Sequence, residues 1–327
     1  MEPAAQAGGI GKMAPAFKTT RNEEAWPVIK NITRNPLKPA GWKLFMFLAI
    51  PVGLYLFIVI TPILFSIFFS LFNWNGGPNM KFIGIENYIK TFNDRVFWLS
   101  LKNTLLFTVL MTVGQVGLAF VFTLFFTMRW VRFVDFHRTV MFFPNVISAV
   151  IIGLMWQLIY NNDIGILNTC LRALGLEIWI RTWLGDPKIA MYSLAVPVIW
   201  QYVGYYLVIL MSAVGSIPKD IFEVAEIDGA DGWKRSLYIT IPMIWNSLKI
   251  CIMICVSGSF KAFDHIMIMT GGGPGRATSV LTLYNYNVSF TSMKLGYGCA
   301  MAVVILVFSL ILTIGTQTLM GGKRFES

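Results

Sequence analysis

Charge is scarce in this chain. Of 327 residues only 13% are Asp, Glu, Lys or Arg, 56% are hydrophobic, and the mean hydropathy is +0.66. Water-soluble domains carry about a quarter charged residues, so the balance predicts an integral membrane protein. Histidine is scarcer still: His137 and His265 are the only two, which argues against a catalytic metal centre. The four cysteines form neither a disulfide framework nor a CxxC pair; Cys251 and Cys255 stand one helical turn apart in an apolar run, and Cys170 and Cys299 are distant. No GxSxG or HExxH motif is present. "GGIGKM" at Gly8–Met13 falls short of a phosphate-binding loop, with Gln6 where an earlier glycine belongs and Met13 where Ser or Thr is required. Asp264 is the only acid near an apolar run, so a relay of intramembrane carboxylates is missing. These absences count against an enzyme and a proton-coupled transporter, and place the energy for any uphill work on another polypeptide.

What is abundant is apolar length. A bilayer core of about 30 Å needs about 20 apolar helical residues. Runs of that length occupy 44–72, 103–128, 139–162, 189–217 and 295–320 without a charged side chain, and a sixth covers about 239–263, interrupted by Lys249 and Lys261. Lys249 lies about two turns inside, near enough to snorkel to the headgroups, with a place along a hydrated pathway as the other reading. The first run starts behind a polar, basic tail, residues 1–40, and is too long and too far in for a signal peptide; it is expected to stay as a span. With the N-terminus in the cytoplasm, fifteen Lys and Arg residues face that side and nine the other, so the positive-inside bias predicts both termini cytoplasmic. Trp74, Trp98, Trp156, Tyr160 and Trp183 fall near the predicted outer edges as an aromatic belt would. The net charge of +10 is then a membrane-edge feature; no basic stripe with interleaved aromatics suggests nucleic acid.

One stretch breaks the pattern. "SIPKDIFEVAEIDGADGWKRSLYITIP", residues 216–242, holds eight charged residues on the predicted cytoplasmic side, between spans four and five. Ser216 is expected to cap a helix with Pro218 in its first turn, and Asp220 and Glu223 favour its positive end. Ile221, Phe222, Val224, Ala225 and Ile227 give that helix apolar surface, and Gly229 and Gly232 end it. Trp233 to Tyr238 starts a second helix leading into span five, with Pro242 near the entry. An acidic segment is poorly placed against an anionic leaflet, so a protein groove is the better partner for the apolar surface.

"EVAEIDGADGWKRSLYITIP" resembles the EAA loop of permease subunits of ATP-binding-cassette importers, whose pattern is EAAxxDGAxxxxxFxxIxLP. Glu223, Ala225, Asp228, Gly229, Ala230, Ile239 and Pro242 fall at the pattern's spacing; Val224 replaces an alanine, Ser236 the aromatic and Ile241 the leucine. The Ser236 departure weakens the expected anchoring of the second helix. "SLFNWNG", "FIGIENYIKTF", "NTLLFTV", "FFPNVISAVIIGLMWQLIYNNDIGILN" and "MTGGGPGRATSVLTLYNY" are similar to carbohydrate permeases of the maltose and multiple-sugar type. The resemblance covers roughly residues 41–317, not the tail. It implies an all-α permease of the type I importer fold, in a bacterial or archaeal plasma membrane, with six spans and a coupling helix between spans four and five. It also implies a second related permease, two cytoplasmic ATPase subunits holding ATP and magnesium, and an extracytoplasmic binding protein delivering a carbohydrate. This chain would bind no cofactor itself. A polyol or a glycerol-phosphate ester is the alternative solute, and a self-sufficient secondary transporter the alternative class.

Candidate pathway residues come from two spans. Cys255, Ser259 and Ala262 recur at helical spacing as a small, partly polar stripe, which either a partner helix or a hydrated cavity would favour. Gln201 and Tyr205 are one turn apart with Tyr202 beside them, and amides and phenols suit sugar hydroxyls and faces. The resemblance places pathway residues at Gln201, Tyr202, Cys255 and Ser259.

Overall fold

The computed structural model describes residues 41–128, 131–230 and 232–320. The basic tail before Gly41, Arg129, Asp231, Lys323 and Arg324 lie outside them. The chain divides into two units, residues 1–57 and 58–327. In the first, α1 (Gly41–Tyr55) has every side chain exposed and carries no charge after Lys43, as a helix facing lipid or another subunit would.

The second unit continues with α2 (Thr61–Phe69) and a hairpin of β1 (Phe72–Asn73) against β2 (Lys81–Phe82). Then follow α3 (Glu86–Asn93), α4 (Arg95–Phe126), α5 (Val134–Val146), α6 (Ala149–Ile159) and α7 (Ile166–Ala173). The chain ends in α8 (Ala190–Gly215), α9 (Lys219–Ile227), α10 (Trp233–Phe260), α11 (Asp264–Met269), α12 (Leu281–Tyr286) and α13 (Leu295–Met320). Among the described residues five helices are long and apolar enough to cross a membrane: Gly41–Phe69, α4, α8, α10 and α13.

The third expected span is not one helix. It is α5 and α6, bent by 96° at a short break, and the pair makes a sixth crossing only if counted together. The cause is local. Pro144 removes a backbone donor, Ile147 turns extended, and Ser148 caps a new helix by accepting from the Val150 N–H at 3.3 Å. Other boundaries move too. Asp94 caps α4 by accepting from the Val96 N–H at 2.8 Å, so the second apolar helix starts at Arg95 rather than Asn103. In α10 the second loop helix and span five are continuous, and a π-helical turn at Ser236–Thr240 accommodates Pro242.

The core joins α4, α8 and α10, with Phe107, Met111, Leu194, Leu207 and Cys251 buried together. Polar groups fasten the ends. Asn103 donates to the carbonyls of Arg276 and Ser279 at 3.1 and 3.0 Å, and the Thr104 hydroxyl accepts from the Leu281 N–H at 2.9 Å. Asp94 accepts from the Tyr284 and Tyr297 hydroxyls, the latter at 2.8 Å. Burial pushes that carboxyl up, but the two phenols and the backbone N–H groups outweigh it and hold it below the usual carboxylate range. Gly204 lets α8 lie against α5: a Cβ there would sit 2.0 Å from the Met141 carbonyl oxygen.

Candidate functional site

Where α4, α8 and α10 meet the start of α11, they enclose a cavity of about 280 Å3. Gln115, Tyr202, Tyr206, Cys255, Ser259 and Lys261 are among its lining side chains. Gln115 is buried; its amide donates to the Val198 carbonyl at 3.2 Å, and its oxygen accepts from Cys255 Sγ at 3.4 Å. Small and polar side chains at these positions leave room and supply hydrogen-bond partners, which an apolar lining would not. Cys251 and Cys255 are free and buried, and no three His, Cys, Asp or Glu side chains among the described residues come together as metal ligands would.

Of the expected pathway residues, Tyr202, Cys255 and Ser259 line this cavity, while Gln201 and Tyr205 are not among its lining. Gln201 is 2% exposed and both ends of its amide are engaged. Nε2 donates at 2.9 Å to the Ile147 carbonyl, at the break between α5 and α6, and Oε1 lies 2.6 Å from His265 Nε2. Because the amide nitrogen is committed as donor, the hydrogen-bond network assigns the imidazole proton to His265 Nε2. Burial holds that imidazole below its ordinary value, against the opposing pull of Asp264. Gln201 thus joins three elements: the bend, α8 and α11. Tyr205 packs edge-on against Tyr206, ring centres 5.1 Å apart. Sequence reasoning missed Gln115, Tyr206 and His265. Gln115 carried a signal, an amide alone in an uncharged span; His265 had none, since its burial depends on α8 and α11 meeting.

Between α8 and α10 the charged stretch forms a helix with a sealed end. Ser216 does not cap it; that hydroxyl turns back to donate to the Ala213 carbonyl at 2.7 Å, and Pro218 takes the cap position. Helix α9 ends at Gly229, φ +73°, with two closing backbone bonds: Gly229 N–H to Glu226 at 3.1 Å and Ala230 N–H to Ala225 at 2.8 Å. This is a Schellman motif, and it requires the left-handed conformation glycine adopts without strain. Gly232, φ +55°, caps α10. Ala225 is only 5% exposed and Phe222 half-buried, so these two face the protein. Val224 at 57% and Ile227 at 85% face outward beside exposed Asp220, Glu223, Glu226 and Asp228. Pro242 is exposed on α10, and Ser236 is buried, its hydroxyl donating to the Gly232 carbonyl at 3.3 Å.

The helices thus enclose a cavity lined by both polar and apolar side chains, and one charged, sealed helix stands between two of the long apolar ones, an arrangement that suits a membrane transport component. Residues 115–319 match the family of binding-protein-dependent transport system inner membrane components, and the chain belongs to that family. It is accordingly a multi-pass protein of the inner membrane. It is 36% identical over 267 residues to a probable ABC transporter permease, YurN, of Bacillus subtilis, covering 81% of this chain and 91% of the relative. It is 30% identical over 295 residues to the diacetylchitobiose uptake system permease protein NgcF of Streptomyces coelicolor, covering 86% and 84%. The fold is similar to that of a bacterial ABC transporter involved in import of the acidic polysaccharide alginate, with TM-score 0.76, 19% identity and coverage of 88% and 96%.

Proposed function

We propose that this chain is one of two related permease subunits of an ATP-driven importer for a sugar or oligosaccharide. Six spans carry it across the membrane, counting α5 and α6 as one, with both termini and α9 in the cytoplasm. Helix α9 seats in a cleft on a cytoplasmic ATPase subunit. ATP and magnesium stay on two such subunits, and a binding protein delivers the sugar from outside. Closure of the ATPases on ATP pulls α9, and the paired bundles rock from inward-open to outward-open. This chain performs no bond chemistry; it supplies half of the route and one handle.

The observation that carries this reading is the outer edge of α9. Val224 and Ile227 stand exposed among carboxylates on a helix whose C-terminal end is closed by its own backbone. Apolar side chains there gain from burial in a protein groove, while the surrounding acids oppose contact with anionic lipid. Glu223, Ala225, Asp228, Gly229, Ala230 and Pro242 shape this handle, Ala225 from its inner side. For the cargo, Tyr202, Tyr206, Ser259 and Gln115 offer ring faces and hydrogen-bonding groups of the kind sugars use. Tyr202, Cys255 and Ser259 face the route, with Gln201 and Tyr205 supporting it from behind. The carbohydrate names of relatives support the same class.

The deciding experiment uses Gly229→Val and Glu223→Lys. Both variants insert at wild-type levels, and ATP-dependent sugar uptake falls to background. Normal uptake by both removes the handle from the mechanism.

A further inference from the structure

We propose that Arg235 is a positioning residue for coupling: its guanidinium ties α9 to the end of α4 and so carries the movement of α9 into the bundle. This rests on reading α9 as the coupling helix. Arg235 lies in the first turn of α10, with its guanidinium carbon 5.3 Å from the centre of the Phe222 ring on α9. The same guanidinium donates through Nη2 to the Thr127 carbonyl, at the C-terminal cap of α4.

Each contact has a physical reason. The last carbonyls of a helix lack intrahelical partners and carry the negative end of its dipole, so a cation is stabilised there. A guanidinium is planar and weakly hydrated, so it stacks on an aromatic face while its edge still donates. Arg235 Nε is buried without a partner, so the group is held by the ring and the carbonyl rather than by a saturated set of hydrogen bonds. Phe222 and Ala225 are the inward side of α9, one turn apart, whereas Val224 and Ile227 point the other way. The tie therefore lies opposite the docking edge. A pull on α9 reaches α4, which lines the cavity through Phe107, Met111 and Gln115. Removing the tie should leave ATPase docking intact and lose transmission.

The experiment compares wild type, Arg235→Met, Arg235→Lys and Phe222→Leu in the complete transporter with its permease partner, ATPases and binding protein, reconstituted in proteoliposomes. ATP hydrolysis and sugar uptake are measured on the same vesicles. Methionine keeps the length and the contact with Phe222 but cannot donate; lysine keeps the charge but not the stacked fork. The expected result is ATP hydrolysis near wild type with sugar moved per ATP reduced about 10-fold in Arg235→Met and Phe222→Leu, and partial recovery in Arg235→Lys. An unchanged ratio in Arg235→Met and Phe222→Leu overturns the assignment, as does a parallel loss of hydrolysis and uptake. The two readings fail differently: a wild-type chain that never joins an ATPase refutes the coupling helix itself, whereas efficient transport by the variants refutes only the tie.

Discussion

At the scale of single residues, a few polar side chains fasten a mostly apolar chain, and their removal has calculable effects. Asp94 caps α4 and accepts from two phenols, so Asp94→Ala removes the cap of a helix end and the carboxylate acceptor of two hydroxyls. The expected loss is about 2 kcal/mol, read as a lower thermal midpoint in detergent. The sign with pH follows from its depressed folded value. The stabilisation is present above the ordinary carboxylate range and disappears as pH falls through the folded value. Gly204 gives a second test. Val at that position drives carbon into the Met141 backbone, which cannot retreat as a flexible side chain would. Gly204→Val should cost at least about 2 kcal/mol, seen as reduced recovery of folded protein from membranes.

At the scale of elements, apolar length located the spans but not their interruptions. Helix α13 was legible because an uncharged apolar run of that length suits a single helix, and it continues at least to Met320, the last described residue. The bend of the third span was not. "FFPNVIS" carries no charge and reads as part of one run, whereas the freed Ile147 carbonyl is satisfied by Gln201 from another helix. Helix α9 was visible in its charges and glycines, but the sharing of its apolar residues between inner and outer sides was not. Phe222 and Ala225 take the inner side, leaving Val224 and Ile227 exposed. If α9 docks on the ATPase as proposed, Val224→Arg should weaken co-purification of the ATPase by about 10-fold, because a charge would replace apolar carbon at the contact.

At the scale of the whole molecule, scarcity of charge made the membrane protein readable, and the resemblance carried by residues 223–242 supplied the permease class. The cavity was readable only in part. Cys255 and Ser259 were found by their spacing on one helix; Gln115 and His265 reach their places only when helices distant in sequence meet. Sidedness is testable directly. Single cysteines introduced at Glu223 and in the tail before Gly41, on a background without Cys170, Cys251, Cys255 and Cys299, are expected to react with a membrane-impermeant thiol reagent only in inside-out vesicles. Reaction at position 223 in right-side-out cells would reverse the orientation.

The elbow at Ile147 also constrains biogenesis. Helix α6 has 11 residues, about 16 Å of rise, roughly half of what a bilayer core demands. Such a piece has little reason to partition into lipid by itself, so its final seat depends on α8 and α11, which are synthesised later. If α5 and α6 make one crossing as proposed, the nascent protein holds it unfinished until Gln201 and His265 emerge, and damage at either position should surface as turnover during synthesis before it surfaces as slow transport.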